Sequence, residues 1–370
     1  MKRVIVVGGG ISGLITAIQL GRAGISPTLI EKKVYPFHRV CGEYISNETV
    51  PFLKKLGLYP EAFYPPVISR FQLTSVNGKS ACLKLDSGGF GISRYAFDQF
   101  LYEQAKVAGV DFLLNTQVDK IHRANELFFV QTKDQQLETD LVVGSFGKRS
   151  TLDASLNRSF IKKRSPYIGV KYHIRTDHPS DLIALHNFKD GYCGISNIEA
   201  GKTNLCYLSH RHHLKHYGNL KAMEEGVLFK NPFLKSIFKN SEFLFEKPET
   251  INEISFETKG PVDQHILMTG DAAGMITPLC GNGMAMAIQS SKILSERVIR
   301  FCHDLHYTRE QLEHDYARSW AAIFEKRLWA GRQIQRLFGS EWASDGLVNI
   351  ALHAKPLANW LVRKTHGKPF

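Results

Sequence analysis

The stretch Val4-Ile5-Val6-Val7-Gly8-Gly9-Gly10-Ile11-Ser12-Gly13 opens a unit that runs on through a helix-length segment to Ala23, Gly24 and a second apolar run ending at Glu31. Strand, glycine turn, helix, strand and terminal acid, in that order, describe a site for the ADP half of a dinucleotide. Gly8 permits the tight turn off the strand, Gly10 lets the backbone approach a pyrophosphate, and Gly13 lets the helix pack closely on the strand. The N–H groups at the helix start then face phosphate, because they have no acceptor within the helix. Glu31, eighteen residues beyond Gly13, is placed to accept a ribose 2′-OH and disfavours a 2′-phosphate, so the first nucleotide reads as NAD-like or FAD-like.

Working outward, 32–43 reads as a loop carrying Pro36, His38, Arg39, Cys41 and Gly42. A helix is expected over 47–56, with Ser46 as N-cap and Gly57 past its end. The segment 71–85 alternates like a strand and closes at Ser87-Gly88-Gly89. Arg94 precedes an amphipathic helix over 95–108, with Phe97, Phe100, Leu101 and Ala105 at helical spacing. Strands are expected over 110–114, 118–121, 127–132 and 141–143. From 167 to 256 the pattern becomes strands, over 169–174, 182–187, 192–195 and 204–209, interrupted by one helix over 220–228. A last buried strand over 266–269 leads into Gly270-Asp271-Ala272-Ala273-Gly274, then Pro278, Gly281-Asn282-Gly283 and a helix from Met284 to about 301. A nucleotide-binding α/β domain is thus interrupted by a second sheet and completed afterwards.

Composition sets the outer bounds. The chain has 370 residues, 43% hydrophobic and 22% charged, which is ordinary globular usage, long enough for more than one compact unit. No signal peptide and no membrane span are expected, and a cytoplasmic location follows, possible at the membrane periphery. The six cysteines, Cys41, Cys82, Cys193, Cys206, Cys280 and Cys302, show no CxxC spacing, so neither a zinc ribbon nor a disulfide framework is expected. Lys and Arg outnumber Asp and Glu by 47 to 35, a formal +12. Without stacking aromatics or a recognised binding module this basic excess points to no nucleic-acid partner. The triplet His210, His212, His213 has no supporting Cys or carboxylate nearby in sequence, and no metal is expected.

The glycine turn, Arg94 and the Gly270-Asp271 segment with Pro278 and Gly281-Asn282-Gly283 together resemble the three FAD signatures of the p-hydroxybenzoate hydroxylase superfamily, which includes group A flavin monooxygenases and geranylgeranyl reductases. The resemblance covers about residues 1 to 305. It implies a Rossmann-like FAD domain of the glutathione-reductase type, an inserted antiparallel β-sheet substrate domain and a C-terminal helical region. The corresponding divisions are 1–67, 90–163 and 258–305 for the FAD domain, 68–89 and 164–257 for the substrate domain, and 306–370 for the helical end. FAD is the implied cofactor and NAD(P)H the expected reductant. By similarity Asp271 meets the ribityl chain, and Gly281 to Met284, at a helix N-terminus, face the flavin pyrimidine, where positive potential favours the reduced anion. Arg39 and Arg94 lie along the ribityl and pyrophosphate, and Val118 offers its backbone to adenine. With Gly8, Gly10, Ile11, Ser12, Gly13, Glu31, Lys32 and Gly270 these complete the expected cofactor set.

Two departures limit the carry-over. The superfamily's Asp-Gly pair after the 141–143 strand is replaced by Gly144-Ser145-Phe146-Gly147-Lys148-Arg149-Ser150, where Lys148 and Arg149 offer themselves to a dinucleotide's phosphates. The reductases' Tyr-x-Trp-x-Phe-Pro stretch survives only as Tyr192 in Gly191-Tyr192-Cys193-Gly194-Ile195-Ser196. Val40-Cys41-Gly42-Glu43, conversely, resembles the reductases' Cys-Gly loop, in which the cysteine lies near the isoalloxazine. Cys41, Glu43 and Tyr192 are the catalytic candidates, with His38 a proton donor beside them. The favoured reaction is hydroxylation of an aromatic or lipophilic small molecule by reduced flavin and O₂. Alternatives are reduction of C=C bonds in an isoprenoid or similar lipid, and a flavin redox sensor without turnover. A halogenase is disfavoured, because the Trp-x-Trp-x-Ile-Pro stretch is absent and Trp320 and Trp329 stand nine apart. The end of the chain, with apolar positions at near-helical spacing amid Lys and Arg, either folds back on the substrate domain or meets a lipid surface.

Overall fold

The computed structural model describes residues 2–163, 165–252, 254, 256–275, 277, 281–335, 340–354, 356–358 and 367–370. Pro278, expected to help hold the cofactor, lies outside the described residues, as do Cys280 and most of the basic stretch 359–366.

Val4–Val7 is buried at every position, as a central strand of a parallel sheet covered on both faces must be. It pairs in parallel with Leu141–Gly144 on one side and Thr28–Ile30 on the other. Ile266–Met268 and Asp111–Leu113 extend the sheet in parallel, and the short Val262–Asp263 closes one edge antiparallel. Helix Ile11–Arg22 springs from the end of the central strand. Gly8 turns there at φ +105°, and a Cβ on Gly13 would lie 2.1 Å from the Gly8 carbonyl oxygen, so both glycines are demanded by sterics. A three-stranded antiparallel sheet, Val118–Ala124, Leu127–Thr132 and Gln136–Thr139, fills the excursion before Leu141. The architecture is the Rossmann-like α/β arrangement with an inserted sheet and a helical end that the sequence predicts.

The second sheet has nine strands. Along its path lie Glu242–Phe243, Tyr167–Arg175, Thr203–His210, Gly191–Asn197, Leu182–Phe188, Val67–Thr74, Ser80–Gly91 and Tyr44–Ser46, with Glu249–Asn252 also on Tyr167–Arg175. Alternation gives the sheet two apolar faces. Ala184 and Phe188 point into one cluster with Met223, Val227 and Leu234 from the overlying helices. Leu185, between them, joins Leu73, Leu83, Tyr192, Leu208 and Val348 on the other side.

The structure revises three local expectations. The strand expected to close at Ser87-Gly88-Gly89 continues to Gly91, because a Cβ at Gly89 would meet the Tyr44 ring at 2.4 Å and glycine there admits the neighbouring strand. Where one helix was expected between the strands there are three, Arg211–Tyr217, Leu220–Val227 and Pro232–Asn240, each started by a capping side chain: His210, Asn219 and Asn231. The middle one is the helix expected over 220–228; brevity hides the other two from periodicity. Ser46 makes no capping bond with its side chain; Thr49 Oγ1 instead donates to its carbonyl at 3.0 Å.

Helix Gly283–His303 packs on Ile11–Arg22, joined by Gln19 Nε2 donating to Ser295 Oγ at 3.1 Å. Arg309–Gln335 lies against it, and Glu341–His353 folds back onto the hairpin Val67–Thr74/Ser80–Gly91. Buried Glu48 holds this end in place: Arg327 Nη2 donates to it at 2.9 Å, Gly367 N donates to its other oxygen, and Phe370 lies on Phe52. No helix among the described residues is long and apolar enough to cross a membrane.

Candidate cofactor and active site

The carboxyl ends of the parallel strands and the inner face of the nine-stranded sheet enclose one continuous cavity of about 1020 Å³. Its placement is the crevice in which α/β sheets bind ligands, and it is as large as the biggest ordinary ligand pockets of about 300–1,000 Å³.

Gly8, Gly10, Ile11, Ser12, Glu31, Lys32, Arg39, Val118, Gly270, Asp271, Gly281, Gly283 and Met284 line it, as do Arg94 and the candidates Cys41, Glu43 and Tyr192. Gly13 sits behind the wall, against Gly8 and Ser145. Asn282 is buried beside it at the N-cap of Gly283–His303. The amides opening Ile11–Arg22 and Gly283–His303 therefore converge on the same space from two directions. Gly10 is the one open point of the turn, since a Cβ there would find only Arg94 Nη2, at 3.7 Å.

Around this cradle the charges are fixed. Glu31 accepts Gly9 N at 2.8 Å and Lys33 N at 3.1 Å and pairs with Arg39 at 3.3 Å. Tyr35 Oη donates to the Gly9 carbonyl at 2.5 Å. Asp98, 1% exposed, takes two hydrogen bonds of 2.7 Å from Arg94 and one of 3.2 Å from Arg39 Nε. Burial by itself would lower the Arg94 pKa, but Asp98 and a hydrogen bond with Cys41 raise it, so the guanidinium stays charged. Asp98 was missed in the sequence, although its position four residues after Arg94 on a helix is the spacing of such a pair. Lys259, also missed, ties two loops of the cradle by donating to the carbonyls of Lys148 at 2.6 Å and Asp271 at 2.9 Å, and burial lowers its pKa to about 8. Phe146 lines the cavity where the superfamily carries Asp, and Arg149 is turned to the carbonyls of Ile161 and Lys163.

The Cys-Gly loop is held by a buried ionic group that no spacing rule announces. Glu43 is fully buried at φ +54°, and its carboxylate accepts from Lys171 Nζ at 2.5 Å and Arg94 N at 2.8 Å on one oxygen and meets His173 Nε2 at 2.7 Å on the other. Burial pushes its pKa up, but Lys171 and His173 outweigh burial and hold it below the usual carboxylate range. An ionised carboxylate with every oxygen engaged is a poor general acid, and Glu43, expected as a catalytic candidate, has both carboxylate oxygens tied to Lys171, Arg94 N and His173. Lys171 also donates to the Arg39 carbonyl at 3.1 Å, and Asn204 Nδ2 to that of Cys41 at 3.1 Å. Lys171 and His173 stand two apart on one strand, so both face the loop.

His38 packs between Tyr95, at 4.6 Å between ring centres, and Phe245, at 4.7 Å, with His173 edge-on at 5.2 Å. Burial, then Lys171 and His173, lower its pKa to about 4, so it is neutral at pH 7 and offers a hydrogen bond rather than an imidazolium proton. Its Nδ1 is buried with no hydrogen-bond partner among the described residues. Burial pushes Cys206, on the same wall, up to about 12.

Leu73, Leu83, Leu85, Leu185, Leu208 and Ile254 from the sheet side and Leu347, Ile350 and Ala351 of Glu341–His353 as a roof make a largely apolar stretch of wall, with Phe71 and Tyr192 beside them, and Glu249 and Thr250 also line the cavity.

Comparison with known proteins agrees with this geometry. The family model "FAD binding domain" matches residues 1–214. A 3-hydroxybenzoate 6-hydroxylase of Klebsiella oxytoca is 24% identical over 91% of this chain and 89% of its own length. A digeranylgeranylglycerophospholipid reductase of Methanococcus vannielii is 22% identical over 86% of this chain and 81% of its own. The crystal structure of a geranylgeranyl bacteriochlorophyll reductase-like protein from Thermoplasma acidophilum superposes with a TM-score of 0.77 at 17% identity, covering 100% of this chain and 96% of that one, which establishes the shared fold. The chain belongs to the FAD binding domain family, as a flavoprotein oxidoreductase of the p-hydroxybenzoate hydroxylase type.

Proposed function

We propose that the chain holds FAD extended along the crevice and uses it to hydroxylate an uncharged, apolar small molecule, aromatic or lipid-like, with O₂ as co-substrate and NAD(P)H as reductant. The observation that carries the reading is the single cavity that has a glycine-and-amide cradle at one end and a largely apolar chamber at the other. The cradle fits FAD: open at Gly10, walled by two helix N-termini, with Arg39 and Arg94 oriented toward a diphosphate by Asp98. When bound, FAD supplies the electron transfer and the oxygen activation. The protein's own residues do the rest. The Glu43 group sets the Cys41-Gly42 loop, His38 presents a neutral imidazole to the chamber, and the roof helix keeps water out. Tyr192 closes the chamber within an aliphatic cluster.

Reduction of C=C bonds is the second reading, favoured by Cys41, which lines the cavity together with Arg94. A flavin redox sensor is the third. Anaerobic photoreduction of the bound flavin, followed by a candidate substrate with and without O₂, separates them. Oxygen-dependent product supports hydroxylation, anaerobic saturation supports the reductase, and no reoxidation by any candidate leaves the sensor. We also propose peripheral contact with anionic lipid through the helical end, where Trp329 and Trp342 are 60% and 88% exposed. Liposome flotation of the full chain against one truncated after Gly339 tests it, and equal flotation rejects it.

A further inference from the structure

We propose that Asp190, His212 and His213 form a binding site for a divalent transition-metal ion of the zinc type, on the outer edge of the substrate sheet. No carboxylate lies near the histidine triplet in sequence; the fold brings one. Lys189 and Asp190 form the two-residue turn between Leu182–Phe188 and Gly191–Asn197, with Asp190 at φ +56°. That turn docks on the start of helix Arg211–Tyr217, where the His210 N–H donates to the Asp190 carbonyl at 3.1 Å.

One ligand atom from each of the three residues lies within 4.8 Å of the others. Asp190 Oδ2 is 3.3 Å from His213 Nε2 and 3.6 Å from His212 Nε2. Metal–ligand bonds of about 2.0–2.2 Å in a tetrahedron put donor atoms about 3.4 Å apart, so the two edges are already near the required length. In the metal-free protein His213 Nε2 donates to the Lys189 carbonyl at 3.1 Å, so an ion bound there replaces that proton.

The tautomers follow from the hydrogen bonds. His210 Nδ1 accepts the backbone N–H of His212 at 3.3 Å, so it carries a lone pair. His212 Nδ1, 2.5 Å from that same atom, must then be the donor. In the neutral ring this leaves the lone pair of His212 on Nε2, facing a carboxylate oxygen. Two acceptors turned toward each other call for a cation between them, and a metal-ligating histidine whose other N–H is held by a fixed acceptor is the usual arrangement. Two imidazoles and one carboxylate suit zinc over magnesium or calcium. The ion clips the hairpin tip to the helix.

The test uses the full flavin-loaded chain, stripped of metal by a chelator and titrated with Zn²⁺ by calorimetry. One equivalent binds saturably, and His212→Ala and Asp190→Asn each weaken it by at least about tenfold. Asn tolerates the left-handed backbone of position 190, so the second variant keeps the turn, and unchanged flavin absorbance verifies the fold of both. His210→Ala, which touches no metal, weakens binding by roughly tenfold through the lost tautomer control. Absence of saturable binding, or binding undiminished in both His212→Ala and Asp190→Asn, overturns the proposal and leaves His212 as an imidazolium paired with Asp190.

Discussion

The two ends of the cavity are built on different principles. At the cradle the wall is backbone: glycines, helix-start amides and carbonyls, with charges locked by Asp98, Glu31 and Lys259. At the chamber the wall is side chain, mostly apolar, aliphatic with a few aromatic rings. A diphosphate can be recognised only by groups in set positions, whereas a hydrocarbon needs only volume. The cradle is therefore intolerant of change and the chamber permissive, and each of the following experiments strains one end while watching the other.

The largest effect is expected at Gly13. In Gly13→Ala the new Cβ meets the Gly8 carbonyl and Ser145 Oγ inside contact distance, so the turn must move. The protein is expected to purify colourless, and retention of stoichiometric flavin absorbance would show that the turn has slack. Next is Lys171→Met, which strands the buried Glu43 carboxylate and is expected to cost about 3–5 kcal/mol in denaturant unfolding. Glu43→Gln with Lys171→Met together is expected to recover part of that loss, and a double variant no better than the single would dissolve the pair's assigned role.

That same group marks where sequence reasoning stopped. Glycines, Glu31, Arg94 and Asp271 stand at spacings set by a fixed ligand, and elementary rules find them. Lys171 and His173 belong to a strand whose partner loop is about 130 positions earlier, so only the fold joins them to Glu43. The roof helix is similar: an amphipathic face was legible, but not whether it met the protein or a lipid surface. Of the short capped helices between 211 and 240 the middle one was legible, whereas Arg211–Tyr217 and Pro232–Asn240 were lost because about two turns give too little periodicity to read.

A smaller effect is expected in the chamber. Leu185→Ala widens it and is expected to cost about 2 kcal/mol while leaving flavin content unchanged; loss of flavin would erase the distinction between the two ends. The smallest is a pH effect. The folded protein holds His38 near pKa 4 and fully buried His186 near 3, against 6.5 when unfolded. Between those values the unfolded chain binds more protons, so stability is expected to fall as pH drops from about 6.5 toward 4. His186→Gln is expected to make that decline shallower across the whole window, measured as the urea midpoint at each pH.

The Lys171–Glu43 pair also has a mechanical meaning. It crosses from the inserted sheet to the loop beside the flavin cradle, so those two bodies cannot swing apart without exposing opposite charges to a dry interior. A bulky guest must enter by another door. Helix Glu341–His353 is seated on the chamber differently, through aliphatic contacts, the Lys79–Asp345 ion pair at 3.4 Å at the surface and a 3.4 Å hydrogen bond from Val76 N to Ser344 Oγ, so water already reaches the charges that hold it.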